Sequence, residues 1–278
     1  MTPLRAEEIT LFCEDKHGGR SQRILDAAVS ELRGMLPFAA AVRTVGVLSK
    51  NDVALRTKFA RDQTGPHLRV LGVRDRDFLT QALVVNARDR AFRANPQDVM
   101  AWPLPRYSIE SYLVDHDVLV PVVTDHLPAA LARRVEEAAT ARRWLDVARG
   151  TLEDLAYRLR KLRPPSIPHA PTDRTTSLEV VLAEAARMQG EIAEAFTPDA
   201  LALHLDALTA DMEADGPLRH RVDGRELIYD VERGLGRRRG SLLDALARQA
   251  RRAPPAALVA DVRTLLDAIP AEWRLTEG

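Results

Sequence analysis

The chain has 278 residues, of which 46% are hydrophobic and 29% are charged, a composition typical of a globular protein with one large domain or two ordinary ones. It contains 40 basic and 40 acidic residues, and this balance excludes a strong overall charge as a sign of nucleic-acid binding. The single cysteine, Cys13, excludes an internal disulfide and a zinc site built from cysteines. No stretch approaches the roughly 18–20 apolar residues of a membrane span, and the amino terminus lacks the apolar core of a signal peptide, which predicts a cytoplasmic protein with no membrane partner.

The first 80 residues alternate between β-prone and helical segments. Short, mainly apolar, β-prone runs at 9–13, 42–48 and 68–73 are separated by helical stretches, the first capped by Ser21 and the second starting at Asn51. Alternating strands and helices are typical of a parallel sheet with helices covering it. The predicted fold class is therefore α/β, with a parallel, Rossmann-like sheet.

The remainder of the chain is predicted to be mainly helical. Residues 78–91 are helical or irregular, residues 99–104 are a fourth strand, and Ser108 is suited to cap a short helix. Beyond residue 125 the chain is rich in Ala, Leu, Arg and Glu at helical spacing, with a proline-rich break at 164–171. Helices are predicted at 127–162, 177–195, 198–213, 224–234, 241–252 and 255–268. We expect a catalytic α/β domain at 1–125 and a helical domain or insertion at 126–278, with a return of 222–240 to the active site as one option.

Acidic residues follow two of the predicted strands. Glu14 comes directly after the first strand, and Asp75 and Asp77 follow the third. Functional groups gather beyond the carboxyl ends of parallel strands, and residues i and i+2 of a strand point to the same side, so these carboxylates are expected to face one point. Hard anionic oxygens are the ligands that Mg²⁺ and Mn²⁺ prefer. The sequence therefore predicts a metal site with Glu14, Asp75 and Asp77 as ligands.

Phosphoryl transfer is the chemistry that such a site favours. A divalent ion neutralises and polarises a phosphate and generates a hydroxide nucleophile. Glu110, on the short helix after Ser108, is a fourth acidic candidate. Lys16 and Arg106 are candidate cations for stabilising the charge of a pentavalent phosphorus centre.

These motifs, in this order, resemble the TOPRIM fold of topoisomerases, primases and overcoming-lysogenization-defect (OLD) nucleases. Residues 73–78 resemble the Asp-Arg-Asp-Phe form common in the OLD-like branch. Residues 104–113 resemble its Leu-Pro-Arg-x-x-Ile-Glu-Asn-Tyr-Leu segment, with Ser111 in place of the asparagine. Residues 222–227 are similar to a later Gly-Lys-x-Leu segment, with Arg225 in place of the lysine. The group that the chain resembles most is the stand-alone TOPRIM proteins of the DUF4435 type, some of which act as phage-defence effectors beside an ATPase.

The resemblance implies a Mg²⁺- or Mn²⁺-dependent endonuclease that cuts DNA or RNA, with tRNA among the possible targets. It implies that Glu14, Asp75 and Asp77 are metal ligands or the general acid and base. Glu110 would be their neighbour, and Arg225 would supply the positive charge that stabilises the transition state. Because the chain has no Gly-x-x-x-x-Gly-Lys-Ser/Thr motif, a partner ATPase would be a separate protein. We keep a homo-oligomer as one option for the assembly of the chain.

The chain differs from the family pattern at two positions within a resemblance that covers roughly residues 8–115 and the return near 224. Gly18 stands where OLD-like nucleases commonly have a second acid, and Arg225 cannot donate a proton at neutral pH. These differences favour an alternative, a catalytically degenerate TOPRIM protein that acts as a nucleic-acid or protein interaction module. A second alternative is a receiver-like phosphosignalling domain, because Glu14 and Asp15 after a strand look like the acidic pair of such domains.

Overall fold

The chain divides into two compact units. The computed structural model describes residues 8–15, 18–48, 50–64, 69–77, 79–92, 101–161, 174–195, 197–214 and 216–274. The first unit consists of Met1–Arg142 and Asp215–Gly278, and the second consists of Arg143–Ala214. The chain therefore divides after residues 142 and 214, whereas the sequence predicts one boundary at residue 125. The difference arises because the helices after Asp215 belong to the same unit as the sheet.

A four-stranded, all-parallel sheet lies in the first unit and confirms the predicted α/β fold class. Its strands are β1 (Ile9–Cys13), β2 (Val42–Gly46), β3 (Arg69–Arg74) and β4 (Ala101–Pro103). Their order in the sheet is β2-β1-β3-β4, so β1 and β3 are the central pair. All five residues of β1 are buried, as expected for a central strand of a parallel sheet, which is covered on both faces.

The described residues contain ten α-helices, and those after β4 form the helical carboxyl-terminal half that the sequence predicts. They are α1 (Arg20–Leu32), α2 (Lys50–Thr64), α3 (Gln81–Arg90), α4 (His116–Leu119), α5 (Pro128–Lys161), α6 (Arg174–Ala195), α7 (Pro198–Glu213), α8 (Gly224–Gly234), α9 (Ser241–Arg252) and α10 (Ala256–Asp267). Short 3₁₀ helices lie at Pro37–Ala41, Ile109–Tyr112, Leu218–His220 and Ala271–Trp273. Within the described ranges, no helix combines the length and the apolar character needed to cross a membrane.

Helices α1 and α2 cover opposite faces of the sheet. The chain passes from β1 to β2 through α1 and then crosses back over β1 to β3 through α2. Because such parallel crossovers are right-handed, the change of direction puts the two helices on opposite faces. Helix α2 contacts β1, β3 and β4, whereas α1 packs against β2, α9 and α10. The helices near the carboxyl terminus thus complete the core on the α1 side.

The second unit contains the later part of α5 together with α6 and α7. Helices α6 and α7 contact each other. Thr197 caps α7 by accepting a hydrogen bond from the N–H of Ala200 at 3.2 Å, and Leu208 and Met212 on this helix are buried. The proline-rich break predicted at 164–171 lies outside the described residues.

Candidate active site

Glu14 and Asp75 follow the two central strands of the sheet. Glu14 is the first residue after β1, and Asp75 is the first residue after β3. These strands are parallel neighbours in which Cys13 pairs with Val73. Both carboxylates therefore lie at the same, carboxyl edge of the sheet.

The strand order makes this edge a topological switch point. After β1 the chain continues to β2 on one side of the central pair, and after β3 it continues to β4 on the other side. Loops that leave neighbouring strands in opposite directions open a crevice, and open α/β sheets bind their ligands there. In this strand order such a crevice is expected between the loops that carry Glu14 and Asp75.

Asp75 is the centre of a group of interacting carboxylates. Its Oδ1 accepts a hydrogen bond from the N–H of Ile109 at 3.0 Å. Burial and then the negative charges of Glu14, Glu110 and Asp77 raise the pKa of Asp75 well above its usual range. The structure therefore brings all four predicted acids into one electrostatic group, in which a bound cation would relieve the repulsion.

Asp77 reaches this group through a turn and not through strand alternation. Strand β3 ends at Arg74, and Asp77 has a φ of 49°, in the left-handed region. Its N–H donates to the carbonyl of Tyr107 at 2.8 Å. The sequence predicts that Asp75 and Asp77 point to the same side of a strand. This reason is wrong, because the strand ends at Arg74 and Asp77 lies in a turn. An aspartate tolerates the left-handed conformation better than most residues, which makes the turn feasible.

Glu110 is buried and forms an ion pair with Arg225. It lies on the 3₁₀ helix Ile109–Tyr112, and Ser108 caps this helix by a reciprocal arrangement with Ser111. The Oε1 of Glu110 accepts a hydrogen bond from Nη2 of Arg225 at 2.9 Å. The Glu110 side chain is 3% exposed, whereas that of Arg225 is 54% exposed. The guanidinium therefore neutralises a buried acid and keeps part of its surface open to solvent.

A close backbone contact brings Arg225 to Glu110. Asp223 caps the amino terminus of α8, and its Oδ1 accepts hydrogen bonds from the N–H groups of Arg225 and Glu226 at 3.1 and 3.2 Å. A Cβ atom on Gly224 would lie 2.3 Å from the backbone nitrogen of Ser111, so only glycine permits this approach. The start of α8 therefore rests directly on the helix that carries Glu110.

The structure places the predicted cation Arg106 in a different network. The guanidinium of Arg106 pairs with Asp115 at 2.8 Å and donates to the carbonyl of Ser111 at 3.2 Å. It also lies over the ring of Tyr112, 4.3 Å from the ring centroid. These contacts fix the conformation of the segment around Glu110. The other predicted cation, Lys16, lies outside the described residues.

Two residues near Glu14 have structural roles that sequence reasoning missed. Oδ2 of Asp15 accepts a hydrogen bond from the N–H of Ser21 at 2.7 Å, which satisfies a free donor at the start of α1. Gly18 has a φ of +69°, a conformation that side chains rarely adopt. The backbone conformation thus explains why position 18 is a glycine. The sequence signal for these two roles was an acidic residue, Asp15, followed closely by Gly18, Gly19 and a helix.

The donor chemistry at this edge fits Mg²⁺, although the described residues do not form a complete protein cage. Within the described residues, no group of three or more Asp, Glu, His or Cys side chains is arranged to hold a metal ion. Mg²⁺ is usually bound by only one or two carboxylates, with water and substrate phosphates as the other ligands. Glu14 and Asp75 supply such a pair.

Comparison with known proteins adds no family assignment. No protein-family model matches the chain, and no curated protein matches it.

Proposed function

We propose that this chain is a Mg²⁺- or Mn²⁺-dependent endonuclease that hydrolyses phosphodiester bonds in nucleic acid. The observation that carries the proposal is the position of Glu14 and Asp75 beyond the two central strands, at the switch point of the sheet. Asp77 and Glu110 belong to the same electrostatic group. The likeness of the motifs to those of OLD-like nucleases supports the same assignment.

The residues of the site have complementary roles in this proposal. Glu14 and Asp75 would hold the divalent ion, and Asp77 would complete the group as a third ligand or as the base that accepts a proton from the attacking water. The ion, when bound, neutralises the phosphate and makes its own bound water more acidic. Arg225 presents a permanent positive charge, and Glu110 positions its guanidinium by their ion pair.

The proposed substrate is DNA or RNA, with tRNA included. On the same resemblance we propose a cytoplasmic effector of phage defence that works beside a separate ATPase, either as a single chain or as a homo-oligomer. A guanidinium that is half exposed at the edge of an acidic site is suited to meet a phosphate arriving from solvent.

A cleavage assay tests the proposal directly. Plasmid DNA, single-stranded DNA and total tRNA are incubated with the protein in Mg²⁺, Mn²⁺ or EDTA, and the products are separated by electrophoresis. We expect metal-dependent cutting that falls by about a hundredfold or more in Asp75→Asn/Asp77→Asn, because charge stabilisation by the ion is worth several kcal/mol. Asp62→Asn, which removes an exposed carboxylate on α2, is the matched control and should cut normally. Undiminished cutting by the double variant would refute the assignment of the site.

The second candidate function is an interaction module without catalysis. It is favoured by the lack of a three-ligand cluster among the described residues and by the cation that Arg225 already supplies to Glu110. Titration calorimetry with Mn²⁺ separates the two candidates. No heat at millimolar metal, with RNA or protein binding intact, would support the module. Binding of a phosphoryl mimic in place of metal-dependent cutting would support the receiver-like alternative.

A further inference from the structure

A cavity of about 230 Å³ has four basic residues among the eight that line it. These are Arg76, Arg106, His220 and Arg221, and Asp261 is the one acidic residue of the lining. Arg76 stands between Asp75 and Asp77 in the chain, so the cavity adjoins the segment that carries two of the site's acids. Neither the proposed metal site nor the ion pair of Glu110 uses this space.

Two of the arginines are buried and held in fixed positions. Arg76 is 6% exposed, and its Nε donates to the carbonyl of Leu79 at 2.7 Å while Nη1 donates to that of Pro105 at 3.2 Å. Arg106 is 9% exposed and is held by Asp115 and by the ring of Tyr112. Side chains that are already ordered lose little conformational entropy when an anion binds.

The segment that follows residue 215 supplies the other side of the cavity. The Nε2 of His220 lies 2.9 Å from Oδ1 of Asp115, which fixes the imidazole. A Cβ atom on Gly216 would lie 3.3 Å from Nη2 of Arg221, and Gly216 has a φ of +112°. The glycine therefore leaves room for the guanidinium of Arg221, which is one of the residues that line the cavity.

We propose that this cavity is a phosphate subsite, which binds a phosphoryl group of the nucleic-acid strand while another part of the strand lies at the carboxylates. The planar donors of arginine match phosphate oxygens in pairs, and the described lining contains three arginines and one histidine against one aspartate. The nucleic-acid strand as the ligand rests on the proposed function.

Binding without cutting tests this inference. A single-stranded DNA oligonucleotide with fluorescein at its 3′ end, and either a phosphate or a hydroxyl at its 5′ end, is titrated in EDTA at several KCl concentrations. Fluorescence anisotropy gives the affinity of the full-length wild type, Arg221→Gln, Arg221→Lys and Arg33→Gln. Arg33, exposed at the end of α1, provides the matched loss of one charge elsewhere. Thermal melting of each variant checks that its fold is intact.

We expect Arg221→Gln to weaken binding about tenfold, the effect of losing one hydrogen bond to a charged group. The slope of log affinity against log salt should fall by about 0.7, the value for one phosphate of a single strand. Arg221→Lys keeps the charge and should keep the slope, and Arg33→Gln should bind as the wild type does. If the 5′ phosphate adds affinity only when Arg221 is present, the cavity takes a terminal phosphate. A fall in the slope that is equal for both oligonucleotides indicates a backbone phosphate.

Unchanged affinity and slope in Arg221→Gln, an equal loss in Arg33→Gln, or no binding by the wild type would each overturn the inference. The result of this binding experiment can be told apart from the result of the cleavage assay. A protein that never cuts can still lose binding in Arg221→Gln. A protein that cuts with unchanged binding in this variant has an active site but no phosphate subsite in the cavity.

Discussion

At Asp75, one carboxyl group experiences burial, the negative charges of three neighbouring acids and a hydrogen bond from the N–H of Ile109. The N–H of Ile109 stabilises the ionised form, but burial and the charges of Glu14, Glu110 and Asp77 outweigh it and raise the pKa. A metal site needs this group ionised. The same repulsion that favours cation binding therefore makes the metal-free protein less stable at neutral pH.

The sign of this effect gives a pH-dependent prediction. Because the pKa is raised in the folded state, the folded chain binds the proton more tightly than the unfolded chain. The contribution of protonated Asp75 to the free energy of unfolding is fully present below the pKa of about 3.9 that this group has in the unfolded chain. It is lost as the pH rises through the pKa of Asp75 in the folded chain. Asp75→Asn keeps an oxygen for the N–H of Ile109 without the charge. In EDTA at neutral pH it should melt at a higher temperature than the wild type, and the difference should shrink as the pH falls toward 3.9.

Scanning calorimetry across this pH range, with Asp62→Asn as the control, measures the effect. Adding Mg²⁺ should reverse the order, since a ligand at about a hundred times its Kd stabilises the wild type by about 2.7 kcal/mol and the Asn variant by less. Identical melting of wild type and Asp75→Asn at every pH would contradict the described environment of the carboxyl group.

At the scale of elements, the contact between α8 and the 3₁₀ helix Ile109–Tyr112 depends on Gly224. The missing Cβ leaves space for the backbone of Ser111, which cannot move as a flexible side chain would. Gly224→Ala should therefore destabilise the protein by about 1–3 kcal/mol, the usual cost of overpacking. Chemical denaturation measures the free energy of unfolding.

A glycine in a different setting provides the control for this substitution. Gly190 lies within α6, and a Cβ atom there would meet nothing within 4 Å. Gly190→Ala should be stabilising by about 0.5–1 kcal/mol, because alanine favours the helix over glycine. Equal effects of the two substitutions would show that the contact at Ser111 is not tight.

Local patterns in the sequence predicted the elements well where a helix or strand is long enough to show its period. The predicted helix at 224–234 coincides with α8, since Asp223 caps it and its apolar face is regular. The short α4 and the 3₁₀ helix Leu218–His220 went unpredicted, because a single turn has no periodicity to detect. Helix α1 begins at Arg20 with Gly19 at its cap position, and Asp15 accepts a hydrogen bond from the N–H of Ser21, whereas the sequence favoured Ser21 as the cap.

Only part of the candidate site could be predicted from the sequence, and the reason is physical. Glu14 and Asp75 follow directly from strands that the sequence shows, and the parallel sheet brings their ends together. The ion pair of Glu110 and Arg225 joins positions 115 apart, which no local pattern encodes. The turn at Asp77 depends on a backbone conformation that the expected strand alternation does not include.

At the scale of the whole molecule, the first unit is assembled from two separate segments of the chain. Helix α1 packs against α9 and α10, which lie in Asp215–Gly278. The apolar face of α1, with Ile24, Leu25 and Val29, needs this cover. A fragment of residues 1–142 should therefore not unfold cooperatively when produced alone.

Co-expression of fragments 1–142 and 215–278 provides the complementary test. We expect the tagged first fragment to copurify with the second in equal amounts, and the pair to show a cooperative thermal transition. A monomeric fragment 1–142 with its own sharp transition would show that the second segment is dispensable for the core.

The long sequence separation between Glu110 and Arg225 also has a consequence for the order of events on the ribosome. Translation at about 5–20 residues per second delivers the carboxylates first and the arginine on the order of ten seconds later. A nascent chain thus carries the acids before the helix that closes over Glu110 exists. The proposed nuclease therefore matures only after the ribosome has passed Arg225, and a chain terminated before that position would carry the acids without their guanidinium.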